Sequence, residues 1–202
     1  MSSKSPAAMR RRDQILNFPN FLTFGRIAAV PLIVACFFIE GDGARWLALG
    51  LFIVAAISDF FDGYLARLWS QQSSLGRMLD PIADKLLVAA VLLMLTAVRT
   101  IDGVHVVAAV IILLREVLVS GLREYLAELR VSVPVTRLAK WKTTLQMVAI
   151  ALLIAGAAGD RVMPFTTTAG LVGLWISALL TLYTGYDYLK AGLDHVMEDG
   201  GQ

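Results

Sequence analysis

Residues 58–84 read SDFFDGYLARLWSQQSSLGRMLDPIAD, and the four aspartates in that stretch stand in a chain that is otherwise strongly apolar. Hydrophobic residues make up 57% of the 202 positions and charged residues only 17%, with a mean hydropathy of +0.70. This composition excludes an ordinary soluble domain and places the chain in the membrane class. A charged aspartate at mid-bilayer costs about 2.5 to 3.5 kcal/mol, so four would cost on the order of 10 kcal/mol without water, partners or metal. The stretch must therefore lie near the membrane interface, line a wet cavity, or bind cations.

Apolar runs long enough to support helices fall at Phe21–Ile39, Trp46–Phe61, Leu86–Val98, Val104–Leu122, Trp141–Ala158 and Thr168–Tyr186. A span needs about 20 mostly apolar residues. Several runs are shorter, but at the ends facing the aspartates they pass into polar sequence without a turn signal, so those helices should continue as rods past the bilayer. The expected architecture is an all-α polytopic membrane protein with six transmembrane helices. It comprises a basic N-terminal segment over residues 1–16, a six-helix catalytic domain over 17–190 and a tail over 191–202. The polar, basic opening precedes a long apolar run with no small-residue cleavage site, which reads as an uncleaved first span.

With the N-terminus inside, only Arg45, Arg99 and Arg161 fall on the far side, leaving fifteen of the eighteen Lys and Arg residues on the near side. The positive-inside rule then puts both termini and the aspartate stretch in the cytoplasm, as in a multi-pass protein of an inner membrane. Cys36 is the single cysteine, so no intrachain disulfide framework exists. A formal charge of +2 is too small to suggest nucleic acid, and the basic residues near the membrane suit anionic lipid headgroups.

At 100° per residue, Asp59, Asp62, Gly63 and Ala66 share an arc of about 100° on one helix. Asp80 and Asp84 stack on one face of the next, with Pro81 tolerable if it lies in that helix's first turn. Two facing helices can thus bring four carboxylates together, with a charge that two divalent cations would neutralise. All-oxygen ligands select hard ions such as Mg²⁺ or Mn²⁺. Gly63, Ala66 and Gly76 allow close approach to the backbone, and Arg67 offers a planar fork suited to phosphate oxygens. Taken singly, each aspartate is an ordinary cap, each glycine a packing residue and Arg67 an interfacial anchor. Together at this spacing they point to metal-assisted chemistry on a phosphate or diphosphate.

The pattern Asp59-x2-Asp62-Gly63-x2-Ala66-Arg67-x8-Gly76-x3-Asp80-x3-Asp84 resembles the signature of the CDP-alcohol phosphatidyltransferases at every defined position. The resemblance implies a six-helix membrane enzyme, usually a homodimer, that moves a phosphatidyl group from a CDP-linked lipid to an alcohol and releases CMP. It implies that Asp59, Asp62 and Asp80 hold two divalent cations. Asp84 would lie close by as the catalytic base and as a possible further ligand. Asp62, Gly63, Ala66, Arg67 and Gly76 would surround the nucleotide and diphosphate of CDP-diacylglycerol.

The acceptor must be read elsewhere. Leu113 to Ile150 is the segment richest in polar residues outside the signature. On a helix Glu116, Ser120 and Arg123 fall within about 60°, a stripe expected to face the bundle interior. Arg115 lies inside an apolar run and needs a partner there. Arg137 and Lys140 share a face, whereas Lys140 and Lys142 diverge by about 160°, so only one of these lysines points easily into a pocket. Arg115, Arg123, Arg137, Lys140 and Lys142 are the candidates for gripping an acceptor phosphate. As anchors to headgroups the same cations need no acceptor at all. The stretches NFPNFLTFGRIAAVP, LREYLAEL and AKWKTTLQMVA are similar to bacterial members of the family whose acceptor is sn-glycerol 3-phosphate. The last helix offers nothing diagnostic.

Three alternatives compete with this reading. The same chemistry with inositol phosphate or phosphatidylglycerol as acceptor is the nearest. A membrane prenyltransferase would be expected to show two separated aspartate clusters, and a non-enzymatic ion-binding bundle would need polar groups continuing the path. The topology is directly testable in a cysteine-free background. A cysteine at Gly43 or Gly159 should label from the outer side, and one at Ser73 or Ser132 from the cytoplasmic side only. Labelling of position 73 from outside would invert the topology.

Overall fold

The computed structural model describes the backbone of residues 18–68, 74–128 and 137–199, and the side chains of residues 22–58, 78–79, 81–126 and 141–186. Six helices follow one another: α1 Phe18–Cys36, α2 Asp42–Leu68, α3 Ser74–Ala97, α4 His105–Glu128, α5 Arg137–Val162 and α6 Thr166–Asp199. Among the described residues there is no strand. Every apolar run has a helix as its body, although residues 37–39, Val98 and Val104 fall in turns, and the polar overruns are helical too. α2 continues to Leu68, α3 begins at Ser74 well before Leu86, and α6 runs on to Asp199.

Among the described residues, three helices rather than six are long and apolar enough to cross a membrane: His105–Leu126, Trp141–Val162 and Thr166–Tyr186. The apolar part of α1, Leu22–Cys36, is shorter. The whole of α1 has 19 residues, about 28 Å of helix at 1.5 Å per residue. α2 carries Asp42 and Arg45 near one end and Asp59 and Asp62 toward the other, and α3 carries Asp80 and Asp84 in its N-terminal half.

The chain divides into two compact units, Met1–Met94 and Leu95–Gln202. In the first, α1 packs against α2 as a hairpin. Its turn is closed by the Phe37, Phe38 and Ile39 amides donating to the Val34, Ala35 and Cys36 carbonyls. Gly41, at φ 107°, takes the left-handed step that an L side chain resists. The Arg45 guanidinium lies 4.7 Å from the centre of the Phe37 ring, a cation–π contact across the turn. Ile33, Ala48, Phe52 and Ala55 are buried, as are Thr23 and Arg26 of α1.

In the second unit α6 packs against both α4 and α5. Ideal Cβ atoms on Gly159, Gly170 and Gly173 would meet Thr166, Leu153 and Ala149 respectively, so α5 and α6 run antiparallel with their backbones close. The Trp175 indole N–H donates to His105 Nδ1 at 3.0 Å, and Arg115 reaches Thr184, so α4 and α6 run parallel. Gly156, at φ 49° and ψ −131°, interrupts α5 with a conformation available almost only to glycine. Asp160 then caps α6: one carboxylate oxygen accepts the Thr167 amide at 2.9 Å and the other accepts its hydroxyl at 2.6 Å. At the end of α3, Arg99 is left-handed at φ 59°, and the Thr100 amide donates to the Leu95 carbonyl at 2.9 Å. This is a Schellman ending with arginine where glycine is usual.

Two sequence expectations change. Pro81 sits inside α3 rather than in its first turn, because the helix starts earlier, at Ser74. The Arg77 carbonyl therefore lacks the amide that normally bonds it. Gly159 is buried, with a Cβ position 2.7 Å from Thr166 Cγ2, so a cysteine there would disturb packing instead of reporting exposure. Gly43 has nothing within 4 Å and keeps its use as a labelling site. The same geometry predicts that Gly170→Ala, whose Cβ would lie 2.8 Å from Leu153 Cγ and 3.2 Å from the Leu153 amide nitrogen, destabilises the protein by about 1 to 3 kcal/mol. Thermal unfolding in detergent should show a lowered Tm for this variant and little change for Gly43→Ala.

Candidate active site

Asp59, Asp62, Gly63, Ala66 and Arg67 all lie on α2, and Gly76, Asp80 and Asp84 on α3. The helical premise of the one-face argument therefore holds for both halves of the signature. The side chains of Asp59, Asp62, Arg67 and Asp80 lie outside the described residues, as do the surroundings of Gly63, Ala66 and Gly76. Asp84 is the described carboxylate. It is half-buried beside the buried Ala83, one turn before the buried Leu87 and Val88. Ser58, the residue before Asp59, donates its hydroxyl to its own helix at the Val54 carbonyl, 2.8 Å away. That bond accounts for a serine inside the apolar part of α2.

The second group of candidates is sorted by the structure. Arg115 and Lys142 come together on one carboxylate, that of Glu116. Lys142 Nζ lies 2.6 Å from Glu116 Oε1, and Arg115 reaches the same oxygen at 3.4 Å. Their side chains are 3% exposed for Lys142, 10% for Arg115 and 22% for Glu116, so this is an interior cluster and not a surface ion pair. Arg115 also donates to Thr184 Oγ1 at 3.2 Å, while the Thr184 hydroxyl donates to the Leu180 carbonyl at 2.9 Å. The stem of Arg115 fits because residue 185 is glycine: a Cβ there would stand 3.3 Å from Arg115 Cγ.

Arg123, expected on an interior stripe with Glu116, is exposed. It lies nearly two turns beyond Glu116, past the level at which Arg115 meets Thr184 of α6. The side chains of Arg137 and Lys140 lie outside the described residues, although α5 does begin at Arg137. Of the two diverging lysines, Lys142 takes the interior, and its neighbour Trp141 is 73% exposed.

Sequence reasoning passed over Thr184, Gln146 and the polar face of α6. Gln146 is one turn from Lys142 on the same face of α5. Its Oε1 is buried with no hydrogen-bond partner among the described residues, as are Ser177 Oγ and Thr181 Oγ1. Extending the α5–α6 register from Leu153 with Gly170 and Ala149 with Gly173 places Gln146 opposite Ser177 and Lys142 opposite Thr181. The seam is thus close-packed and apolar toward one end and polar toward the other. The signal was available in Ser177, Thr181 and Thr184, spaced at four and three residues on a span that is otherwise apolar.

Comparison with known proteins adds the chemical class. A family model described as CDP-alcohol phosphatidyltransferase matches residues 16–183. The chain is 50% identical over 175 residues to a protein of Rickettsia bellii named CDP-diacylglycerol–glycerol-3-phosphate 3-phosphatidyltransferase, covering 87% of this chain and 94% of that one. A protein of the same name from Cereibacter sphaeroides is 40% identical, covering 91% of this chain and 98% of that one. A rice protein named cardiolipin synthase (CMP-forming) is 36% identical, covering 93% of this chain and 61% of its own length.

The Glu116–Lys142 pair makes a stability prediction that does not depend on any substrate. Breaking a buried pair from one side leaves an uncompensated charge and costs more than removing both charges. Lys142→Met and Glu116→Gln should each lower stability by about 2 to 4 kcal/mol, and the double variant should lose less than the sum. Thermal unfolding of the four proteins in detergent measures this, and strict additivity would mean the pair is not coupled.

Proposed function

The chain belongs to the CDP-alcohol phosphatidyltransferase family, and we propose that it transfers the phosphatidyl group of CDP-diacylglycerol to sn-glycerol 3-phosphate, giving phosphatidylglycerophosphate and CMP. The observation that carries this reading is the name shared by relatives 40–50% identical over nearly their whole length, on a chain whose signature from Asp59 to Asp84 is complete. The protein is a membrane-embedded transferase of phospholipid synthesis. On this reading α1, α2 and α3 cross the bilayer with the three apolar spans. Both termini and the active site then face the cytoplasm of an inner membrane, and the protein works as a homodimer.

Asp59, Asp62 and Asp80, with Asp84 alongside, form an all-oxygen donor set on two consecutive helices, which suits two Mg²⁺ or Mn²⁺ ions. When bound, such ions polarise the diphosphate and stabilise the departing CMP. Asp84 takes the proton from the primary hydroxyl of glycerol 3-phosphate. The freed oxygen bonds in line to the phosphorus next to the diacylglycerol as the bond to the CMP oxygen breaks. Arg67 faces the diphosphate, with Gly63, Ala66 and Gly76 leaving room for the nucleotide. Arg115 and Lys142 hold the acceptor's phosphate, with Arg123, Arg137 and Lys140 as further cations of the same segment.

The test is CMP release by purified protein supplied with CDP-diacylglycerol and a panel of alcohols. Glycerol 3-phosphate should support turnover, whereas glycerol, inositol phosphate and phosphatidylglycerol should not. Phosphatidylglycerol as the preferred acceptor would favour the cardiolipin-forming reaction named for the rice relative. A chelator should abolish release, and Mg²⁺ or Mn²⁺ should restore it. Asp59→Asn, Asp62→Asn and Asp80→Asn should each lose at least about a hundredfold in rate, and full activity in excess chelator would contradict the two-cation reading.

A further inference from the structure

Glu116 has the same sign of charge as a phosphate, yet it sits at the centre of the cations assigned to the acceptor. Two cationic side chains from different helices converge on its Oε1, Lys142 at 2.6 Å and Arg115 at 3.4 Å. The chain of contacts does not stop there. Arg115 is tied to Thr184 on α6, and Thr184 to its own backbone at Leu180. A relay of hydrogen bonds therefore runs from the α6 backbone through Arg115 and Glu116 to the Lys142 ammonium on α5.

Arginine and lysine differ in what such a relay supplies. The guanidinium is a rigid planar fork, whereas the ammonium is a point charge on a flexible four-carbon stem. Lys142 is the one whose position needs fixing, and at 3% exposure in an apolar unit it is also the one most in need of a counter-charge. The carboxylate offsets one of the two cations and leaves the trio with a net charge of +1, so it weakens the raw attraction for a phosphate. What it contributes is geometry.

We propose that Glu116 is a positioning residue of the acceptor site, holding the Lys142 ammonium where the acceptor's phosphate meets it without touching the acceptor itself. The proposal rests on the assigned reaction. Without the carboxylate the ammonium loses the 2.6 Å contact that sets its position, so acceptor binding weakens while the CDP-diacylglycerol site is untouched. The chemical step, which happens at a hydroxyl remote from the phosphate, suffers less.

The experiment is steady-state kinetics on the full-length protein in detergent–lipid micelles, varying each substrate in turn. Glu116→Gln should raise KM for glycerol 3-phosphate by about tenfold or more, lower kcat less, and leave KM for CDP-diacylglycerol within about twofold. Glu116→Asp, which keeps the charge, should recover part of the loss. Lys142→Met should raise the same KM, and Glu116→Gln on top of Lys142→Met should add little, because the carboxylate acts through the ammonium. Thr184→Val removes the α6 anchor with little change in shape, so it should show a smaller selective rise. It decides the matter with Glu116→Asp if Glu116→Gln does not fold. Multiplying effects of Glu116→Gln and Lys142→Met, or a fall in kcat with both KM values unchanged, overturns the positioning role alone. A wild-type protein that ignores glycerol 3-phosphate overturns the assigned reaction and the acceptor role of Glu116 with it, whereas the thermal coupling of the pair would survive.

Discussion

The ammonium of Lys142, almost fully buried and 2.6 Å from Glu116, shows the constraint under which this chain is built. A charge in an apolar bundle costs several kcal/mol unless a partner meets it. Here the partner comes from another helix, which ties α5 to α4, and Arg115 carries the connection to α6 through Thr184. Three helices that are apolar over most of their length are thereby joined at one polar level. Away from it they rely on shape: Gly159, Gly170 and Gly173 bring α5 and α6 so close that a methyl group would collide.

The same constraint governs the first unit. Helix α2 carries its charge toward its ends, with Arg45 against the Phe37 ring at one and Asp59 and Asp62 toward the other, and α3 carries its charge in its N-terminal half. Backbone hydrogen bonds are satisfied within a helix whatever its side chains, so α2 and α3 continue through the polar stretch as helices. Only on a helix do Asp59, Asp62, Gly63 and Ala66 share a face, and only then does the spacing of Asp80 and Asp84 stack two carboxylates. A rigid backbone under the donors also holds a site more closely than a loop would.

How much of this could be read beforehand follows from which signals are local. The six helices were legible because an apolar run is a local property, and the signature was legible because its spacing is fixed along the chain. The requirement that Arg115 find a partner was legible from its apolar surroundings. Which partner was not, since Thr184 lies 69 residues from Arg115, and the pairing of Glu116 with Lys142, 26 residues apart, is likewise a matter of how the helices pack. Arg123 shows the limit of helical periodicity: it shares an arc with Glu116, but burial depends on what covers that level of α4. Thr184 was overlooked because a threonine that bonds its own helix at Leu180 is unremarkable in sequence. Helix ends and breaks were the least legible. Pro81 fell inside α3 because polar residues from Ser74 onward extended the helix, and the break at Gly156 is one glycine among sixteen.

In the proposed reaction the labour is divided between helices. The carboxylate signature and the nucleotide side of the reaction belong to α2 and α3, whereas the cations assigned to the acceptor belong to α4 and α5, with α6 as their support. On the proposed reading the chemistry turns on the carboxylates, and locating metal between them is the most direct test. Protein prepared with Mn²⁺ and CDP-diacylglycerol should give two anomalous scattering peaks among Asp59, Asp62, Asp80 and Asp84. Peaks at other residues, or a substrate complex with no metal at these four carboxylates, would contradict the account.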